Sequence, residues 1–177
     1  MMVKSNIQFS DNYKKSKNIQ DIIYKEFIQK NFKIINFDID SEFEKCNKDC
    51  PIQIDHMGEK IPYARWILYN KISRPDLIVN YNKPIFIETK YKNKKYLWIN
   101  KRDYLDYIKW ETITSIPVFV IMYVSQENIF YVHKLDLNPN KLKSLTTSHD
   151  KNKVFDVQDS CMRYEDVDSM TNFFKTL

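Results

Sequence analysis

Two acidic residues and a lysine occupy adjoining apolar segments of this sequence, and their chemistry suits metal-assisted hydrolysis. Asp76 comes immediately before the first segment, 77–79, and the second segment starts at Pro84 and contains Glu88 and Lys90. Side chains alternate between the two faces of a strand, so Glu88 and Lys90 are expected to share one face. The sequence therefore predicts a carboxylate and an ammonium group side by side.

The polar segment 80–83 between these runs favours a turn that folds the first strand back beside the second. This pairing would bring Asp76 close to Glu88, where two carboxylates suit a hard divalent cation. A solvated ion pair between Glu88 and Lys90 is the alternative. The apolar neighbours in 85–87 instead indicate a strand covered on both sides, where an unpaired charge is costly and a metal partner is favoured.

These residues resemble the signature of the PD-(D/E)xK nuclease superfamily, with Pro75-Asp76 followed by Glu88-Thr89-Lys90. The order of elements is also similar: helix, three strands, helix, strand, over residues 15–125. The resemblance implies an α/β restriction-endonuclease-like core with a mixed central sheet flanked by helices. It also implies that Asp76, Glu88 and the carbonyl group of Thr89 hold Mg²⁺, or Mn²⁺ in its place. Lys90 would then orient the attacking water or help to deprotonate it.

The first helix supplies two further candidates. Residues 11–30 have apolar side chains at helical spacing, with Glu26 inside that stripe and Gln20 at its rim. Superfamily members often carry an acidic residue or a glutamine on this helix that assists the metal. Both Gln20 and Glu26 remain candidates, and ordinary helix-surface polarity with an intrahelical lysine partner is the alternative for each.

Basic charge is concentrated in segment 83–109, which is also rich in aromatic rings. The segment holds eight basic and three acidic residues, a surplus that equals the whole chain's net charge of +5. Lysine and arginine neutralise phosphates, and aromatic rings stack on unpaired bases. The predicted nucleic-acid-binding residues are Arg74, Lys92, Lys94, Lys95, Lys101, Arg102 and Tyr104. For the three lysines at 92, 94 and 95, a solvated loop is the alternative.

A second helix is predicted to start at Asn100, as its cap, and to run to about Thr114. We expect Leu105, Ile108 and Thr112 to face the sheet. The side chains of the first turns, including Tyr104 and Tyr107, would reach towards the metal site.

The apolar segment 117–124 is typical of a strand buried on both faces, and the helix before it suits a crossover connection. Segment 129–135 is expected to add an edge strand, in which His133 is most simply structural. Residues 138–177 are predicted to form an appendage to a single domain that spans 1–177. This appendage is also where a homodimer contact is expected.

Composition excludes several classes of function. Gly58 is the only glycine, so P-loop and glycine-rich dinucleotide-binding motifs are excluded. The 177 residues and a hydrophobic fraction of 43% suit one well-cored domain. The three cysteines fit a reducing compartment, and a zinc site at Cys46, Cys50 and His56 is a weaker alternative to free cysteines. The absence of a signal peptide or membrane-span pattern leads us to expect an intracellular protein, cytoplasmic or nuclear.

The combined interpretation is a Mg²⁺-dependent nuclease that cleaves DNA, most simply an endonuclease of restriction-like, repair or junction-resolving type. Two alternatives stay open. One is a catalytically inactive nucleic-acid-binding module of the same fold. The other is an RNA-processing nuclease, or a structural interaction subunit in which the match at Asp76, Glu88 and Lys90 is accidental.

Overall fold

The protein has a mixed α/β architecture around a six-stranded sheet. The computed structural model describes residues 2–36, 52–54, 60–62, 73–147 and 151–177, with side chains in 14–35, 73–147 and 151–177. The zinc alternative at Cys46, Cys50 and His56 lies outside the described residues. No helix in the described ranges is long and apolar enough to cross a membrane.

The described part of the chain contains eleven strands and three α-helices. The helices are α1 (Met2–Gln29), α2 (Lys101–Thr114) and α3 (Val167–Lys175). The strands are β1 (Lys33–Asn36), β2 (Ile52–Ile54), β3 (Lys60–Pro62), β4 (Leu77–Asn80), β5 (Pro84–Lys92), β6 (Trp98–Asn100), β7 (Val118–Val124), β8 (Ile129–Lys134), β9 (Lys143–Thr146), β10 (Lys153–Asp156) and β11 (Cys161–Tyr164).

The central sheet has the strand order β1-β4-β5-β7-β8-β11. Strands β5 and β7 are parallel and are connected through α2, whereas the other neighbouring pairs in this sheet are antiparallel. A crossover helix is the usual connection between parallel neighbours. The prediction of a mixed sheet flanked by helices is therefore confirmed. A three-stranded sheet, β6-β10-β9, and the hairpin β2-β3 complete the described strands.

Both faces of β5 are covered, as the apolar run 85–87 predicts. Ile85 and Ile87 lie in one apolar core with Ile23 and Phe27 of α1. Phe86 lies in the other core, which includes side chains of α2. Because each face has its own packed cluster, polar side chains that share the face of Phe86 are also enclosed.

The C-terminal segment is part of this fold, which corrects the prediction of an appendage. Strand β11 pairs with β8, so β8 is an interior strand of the sheet and not its edge. Met170 and Phe174 of α3 are fully or almost fully buried in the same core as α1. The pairing joins distant segments and has no local sequence signal, which explains the error.

Helix α2 starts and ends where predicted, but it buries a different face. The Asn100 side chain accepts a hydrogen bond from the Arg102 N–H at 3.0 Å, as expected of a cap. Tyr104, Asp106 and Tyr107 are its buried residues. The predicted inward residues at 105 and 112 are exposed, and Ile108 is half-buried. A buried aspartate is unexpected from sequence because it depends on partners far away in the chain.

His133 forms a buried polar contact between α2 and the C-terminal segment. Its ring nitrogens lie 3.2 Å from the Tyr104 hydroxyl and 3.0 Å from the Ser160 hydroxyl. Burial lowers the pKa of His133 to about 4, against smaller opposing effects of Ser160 and Asp136. These contacts suit a neutral imidazole, which accepts at one nitrogen and donates at the other. The structural interpretation of His133 agrees with this arrangement.

We expect His133 to make the protein less stable as the pH falls. The unfolded chain takes up a proton near the ordinary histidine pKa of 6.5, whereas the folded chain resists it until about 4. The free energy of unfolding should therefore decrease across that window by on the order of 3 kcal/mol. Carboxyl groups titrate in the same pH range and also change the stability. The measurement therefore compares the free energy of unfolding of wild type with that of His133→Gln, by denaturant unfolding at each pH. A difference between them that does not change with pH would contradict this prediction.

Candidate active site

The pairing of β4 with β5 brings the two carboxylates together. The register sets Leu77 opposite Ile87, so Asp76, one residue before β4, lies next to Glu88. The Asp76 Oδ2 atom accepts hydrogen bonds from the Thr89 N–H at 2.7 Å and the Thr89 hydroxyl at 2.6 Å. Both bonds fix the Asp76 side chain against β5. The predicted proximity of the two carboxylates is thus observed.

Glu88 and Lys90 lie side by side on one face of β5. The Lys90 Nζ atom is 2.8 Å from Glu88 Oε1 and 3.9 Å from Asp103 Oδ2 of α2. It also lies 6.0 Å from the centroid of the Tyr107 ring. The ammonium group is therefore enclosed between the strand and the helix, with one close carboxylate partner.

The electrostatics of Glu88 indicate a site that lacks enough positive charge. Burial, reinforced by the charge of Asp76, raises the pKa of Glu88 to about 7, against the lowering effects of Lys90 and Tyr107. Its Oε2 atom is buried and has no hydrogen-bond partner in the part of the chain that the structure describes. A buried carboxylate oxygen without a partner is costly. A cation beside Oε2 would remove that cost.

Neighbouring groups respond to the same concentration of negative charge. Burial alone would lower the pKa of Lys90, but Glu88, Asp103 and Asp76 outweigh it, so the pKa is raised. Burial, reinforced by Glu88, holds the pKa of the Tyr107 hydroxyl well above its usual value. Lys90 is therefore positively charged and Tyr107 is neutral in the arrangement described.

The donor set fits a magnesium ion. Mg²⁺ prefers oxygen ligands, keeps several of its waters and often uses one or two protein carboxylates. Asp76 and the free Oε2 of Glu88 supply two such carboxylates on adjoining strands. Within the described ranges, no group of three or more His, Cys, Asp and Glu side chains is placed to hold a metal. An ion here would thus depend on water and the Thr89 carbonyl for its other ligands.

Helix α2 holds the chain just before Asp76 through Ser73. The Ser73 N–H donates to Asp106 Oδ2 at 2.9 Å, and its hydroxyl donates to Asp103 Oδ1 at 2.7 Å. The Ser73 carbonyl oxygen accepts a bond from the Trp110 indole at 3.1 Å. All three polar groups of one residue are therefore bound to one helix, which fixes the approach of the chain to Asp76.

Sequence reasoning missed this contact. Asp103 and Asp106 are three residues apart, so they share a helix face, and that spacing was the available signal. Nothing local to Ser73 identifies it as their partner.

The two candidates of α1 do not join the carboxylate pair. Glu26 lies 4.0 Å from Lys30, and Lys30 also pairs with Asp168 of α3. This is the intrahelical lysine partner considered as the alternative. Gln20 is half-buried and has no hydrogen bond to Asp76 or Glu88 among the described residues. Assistance to the metal by either residue therefore stays a prediction.

The predicted nucleic-acid-binding residues divide by exposure. Lys94, Lys95 and Arg102 are exposed, and Arg74 is half-buried two residues before Asp76. These exposed side chains can meet solvent-borne phosphates, although Lys95 also lies 3.6 Å from Glu127 and Arg102 lies 3.5 Å from Asp103.

Three other candidates are more enclosed. Tyr104 is fully buried, and its hydroxyl accepts a hydrogen bond from the Asp136 N–H. The prediction that its ring binds nucleic acid is therefore wrong. The Lys92 Nζ atom donates to the Trp98 carbonyl oxygen at 2.8 Å, and burial lowers the pKa of Lys92 to about 8. Lys101 is half-buried, with Nζ 5.3 Å from the centroid of the Phe155 ring.

Comparisons with known proteins give a distant likeness. No protein-family model matches the chain, and no curated protein matches it. Among solved structures, it is similar to Hjc from Archaeoglobus fulgidus, described as a Holliday junction resolvase from an archaeal hyperthermophile. The TM-score is 0.42 at 10% sequence identity, over 81% of this chain and 87% of that chain. At this TM-score and identity, the likeness assigns no function to this chain.

We expect Asp106→Ala to destabilise the protein and to release Ser73. The substitution leaves the Ser73 N–H without its acceptor, which typically costs about 1–3 kcal/mol. Denaturant unfolding measures the loss, and amide hydrogen exchange at Ser73 should become faster. The control is Arg163→Ala, which breaks an ion pair with Glu165 in which both side chains are exposed and should cost less than about 1 kcal/mol. Equal losses for both variants would show that the Ser73 contact is unimportant.

Proposed function

We propose that this protein is a Mg²⁺-dependent nuclease that hydrolyses phosphodiester bonds in DNA, acting as an endonuclease. The observation that carries the proposal is the enclosed group of Asp76, Glu88 and Lys90, with Glu88 Oε2 buried and without a partner. Structural ion pairs normally satisfy their buried oxygens. A catalytic metal site instead needs a carboxylate oxygen that is available to the ion.

The chain order of the central elements also supports this proposal. Around the main sheet it runs α1, β1, β4, β5, α2, β7, with the candidate residues on β5 and at the start of β4. This is the order that the resemblance to PD-(D/E)xK nucleases implies. The sequence resemblance at Pro75-Asp76 and Glu88-Thr89-Lys90 suggests the roles proposed for Asp76, Glu88 and Lys90.

The chemistry follows from where these side chains point. Asp76 and Glu88, with the Thr89 carbonyl, would hold magnesium, which acts as a Lewis acid and lowers the pKa of bound water. Lys90 places an ammonium group 2.8 Å from Glu88 Oε1, so its remaining N–H groups can donate to the attacking water or a phosphate oxygen. Its positive charge offsets the negative charge that develops on the phosphate. Lys90 is proposed to orient the attacking water or to help deprotonate it.

Exposed basic side chains near this end of β5 would bind the DNA backbone. Lys94 follows β5. Arg102 lies in the first turn of α2, next in sequence to Asp103, which contacts Lys90. Phosphate contacts of this kind position the nucleic acid without reading its sequence. Their placement supports a nucleic-acid substrate, and the cleavage position would be set by Asp76 and Glu88.

We expect Asp76→Asn, Glu88→Gln and Lys90→Met each to reduce cleavage at least about 100-fold while the chain stays folded. Each change keeps the side chain's approximate shape and removes a charge that the transition state requires. The assay incubates each variant with supercoiled, linear, single-stranded and branched DNA, in Mg²⁺, Mn²⁺ or chelator, and circular dichroism checks the fold. The controls are Lys83→Ala and Glu165→Ala, which remove exposed charges.

Full activity in any of the three site variants would contradict the assignment. DNA binding without metal-dependent cleavage in wild type would favour the inactive nucleic-acid-binding module. Cleavage of RNA alone, in a parallel assay, would favour an RNA-processing nuclease.

We also expect Mg²⁺ to stabilise the folded wild type through Glu88. A ligand that binds only the folded state raises the free energy of unfolding by about 2.7 kcal/mol at 100 times its dissociation constant. Thermal unfolding with and without Mg²⁺ measures this effect independently of cleavage. Glu165→Ala should be stabilised like wild type, whereas Glu88→Gln should lose the effect. Equal stabilisation of Glu88→Gln would show that the ion binds elsewhere.

A further inference from the structure

The loop after β5 presents an exposed aromatic ring on a supported base. Tyr96 is 53% exposed, and its ring stacks on that of Trp98 with centroids 4.6 Å apart and an interplanar angle of 26°. Trp98 is half-buried and belongs to β6, which pairs with β10. The outer face of this aromatic pair is therefore open to solvent, while its inner side is fixed to the fold.

The backbone holds Tyr96 in place. The Tyr96 N–H donates to the Lys94 carbonyl oxygen at 2.8 Å, which forms a tight turn. The next residue, Leu97, is fully buried, and its carbonyl oxygen accepts a bond from the Val157 N–H at 3.0 Å. A ring held in this way loses little conformational entropy when it binds a partner.

The same loop carries the charge that a nucleic-acid strand requires. Lys94 and Lys95 are exposed beside Tyr96. Glu127 lies 3.6 Å from Lys95 and offsets part of its positive charge, so Lys94 is better placed to bind a phosphate. A flat ring beside a cation suits a nucleotide: the ring stacks on the base and the ammonium binds the phosphate.

The aromatic pair is also near the candidate active site. The Lys92 Nζ atom bonds to the Trp98 carbonyl oxygen at 2.8 Å, which fixes β6 against the end of β5. Lys92 is two residues beyond Lys90, a rise of about 7 Å along a strand. The Tyr96 ring therefore lies within a few nucleotides of a phosphate bound at Lys90.

We propose that Tyr96, stacked on Trp98 and flanked by Lys94, binds an unpaired base of DNA next to the cleavage position. This inference rests on the proposed nuclease function and narrows its substrate to DNA with a single-stranded segment beside the cut. A base inside a duplex is stacked on both sides and offers no free face, so fully paired DNA gains nothing from this ring.

The test measures binding apart from cleavage, with the full wild-type chain in chelator. The probes are a fluorescent oligothymidylate of about 12 nucleotides, within the usual range of single-strand sites, an oligouridylate of equal length and a blunt duplex. Stacking on one aromatic ring contributes about 1–3 kcal/mol per base, so Tyr96→Leu should weaken oligothymidylate binding about 5- to 150-fold. It should change duplex affinity less than about twofold, because the phosphate contacts remain.

Two matched variants control for loss of the fold and for general aromatic contacts. Tyr96→Phe keeps the ring and should retain oligothymidylate affinity. Tyr81→Leu removes another exposed tyrosine, which lies at the turn between β4 and β5 and next to Lys175, and it should have no effect. Circular dichroism and unfolding checks show that each variant is folded.

The outcomes separate this inference from the proposed function. Unchanged oligothymidylate binding by Tyr96→Leu, or an equal loss on blunt duplex, would overturn the inference even if the chain cleaves DNA. A loss seen only with oligouridylate would overturn its assignment to DNA. Weaker oligothymidylate binding by Tyr96→Leu would support Tyr96 as a base-binding residue even if the wild-type chain shows no metal-dependent cleavage. That absence of cleavage would overturn the nuclease proposal.

Discussion

The antiparallel pairing of β4 with β5 sets Leu77 opposite Ile87, and this register decides which acidic side chains meet. A shift by one residue would turn β4 over and carry Asp76 away from Glu88. The register is strongly specified because both faces of the sheet are packed against apolar side chains. The bonds from Thr89 to Asp76 add a second constraint at the same point. The fold therefore fixes the site before any ligand is present.

Burial makes this fixed pair of carboxylates unfavourable without positive charge. Glu88 is only 7% exposed, its pKa is raised to about 7, and Lys90 satisfies one of its two oxygens. A second positive charge near Asp76 and Glu88 would offset the remaining cost. Local conflicts of this kind concentrate at functional sites, where the structure around them supplies the stability. Helix α2 contributes to that support through Asp103. This residue contacts Lys90 and accepts a hydrogen bond from Ser73, which lies three residues before Asp76.

Features of the site that depend on local periodicity were predictable from the sequence. Strand alternation placed Glu88 and Lys90 on one face, and Asn100 marked the start of α2. The buried face of α2 was not predictable, because Asp106 is turned inward by Ser73, which is 33 residues away in sequence. Tyr104 appeared to be a surface ring because its partners, His133 and Asp136, belong to a later segment. The pairing of β11 with β8 is non-local in the same way.

A crystal structure of the wild-type chain grown with Mn²⁺, measured at a wavelength where manganese scatters anomalously, would show directly whether Asp76 and Glu88 bind a metal ion. Our account predicts one anomalous peak between the carboxylates of Asp76 and Glu88, about 2.1–2.2 Å from an oxygen of each, with water completing the coordination. The peak should be missing from crystals of Glu88→Gln grown in the same way. Absence of a peak beside Glu88 at saturating manganese would contradict the account, as would manganese bound only at other carboxylates.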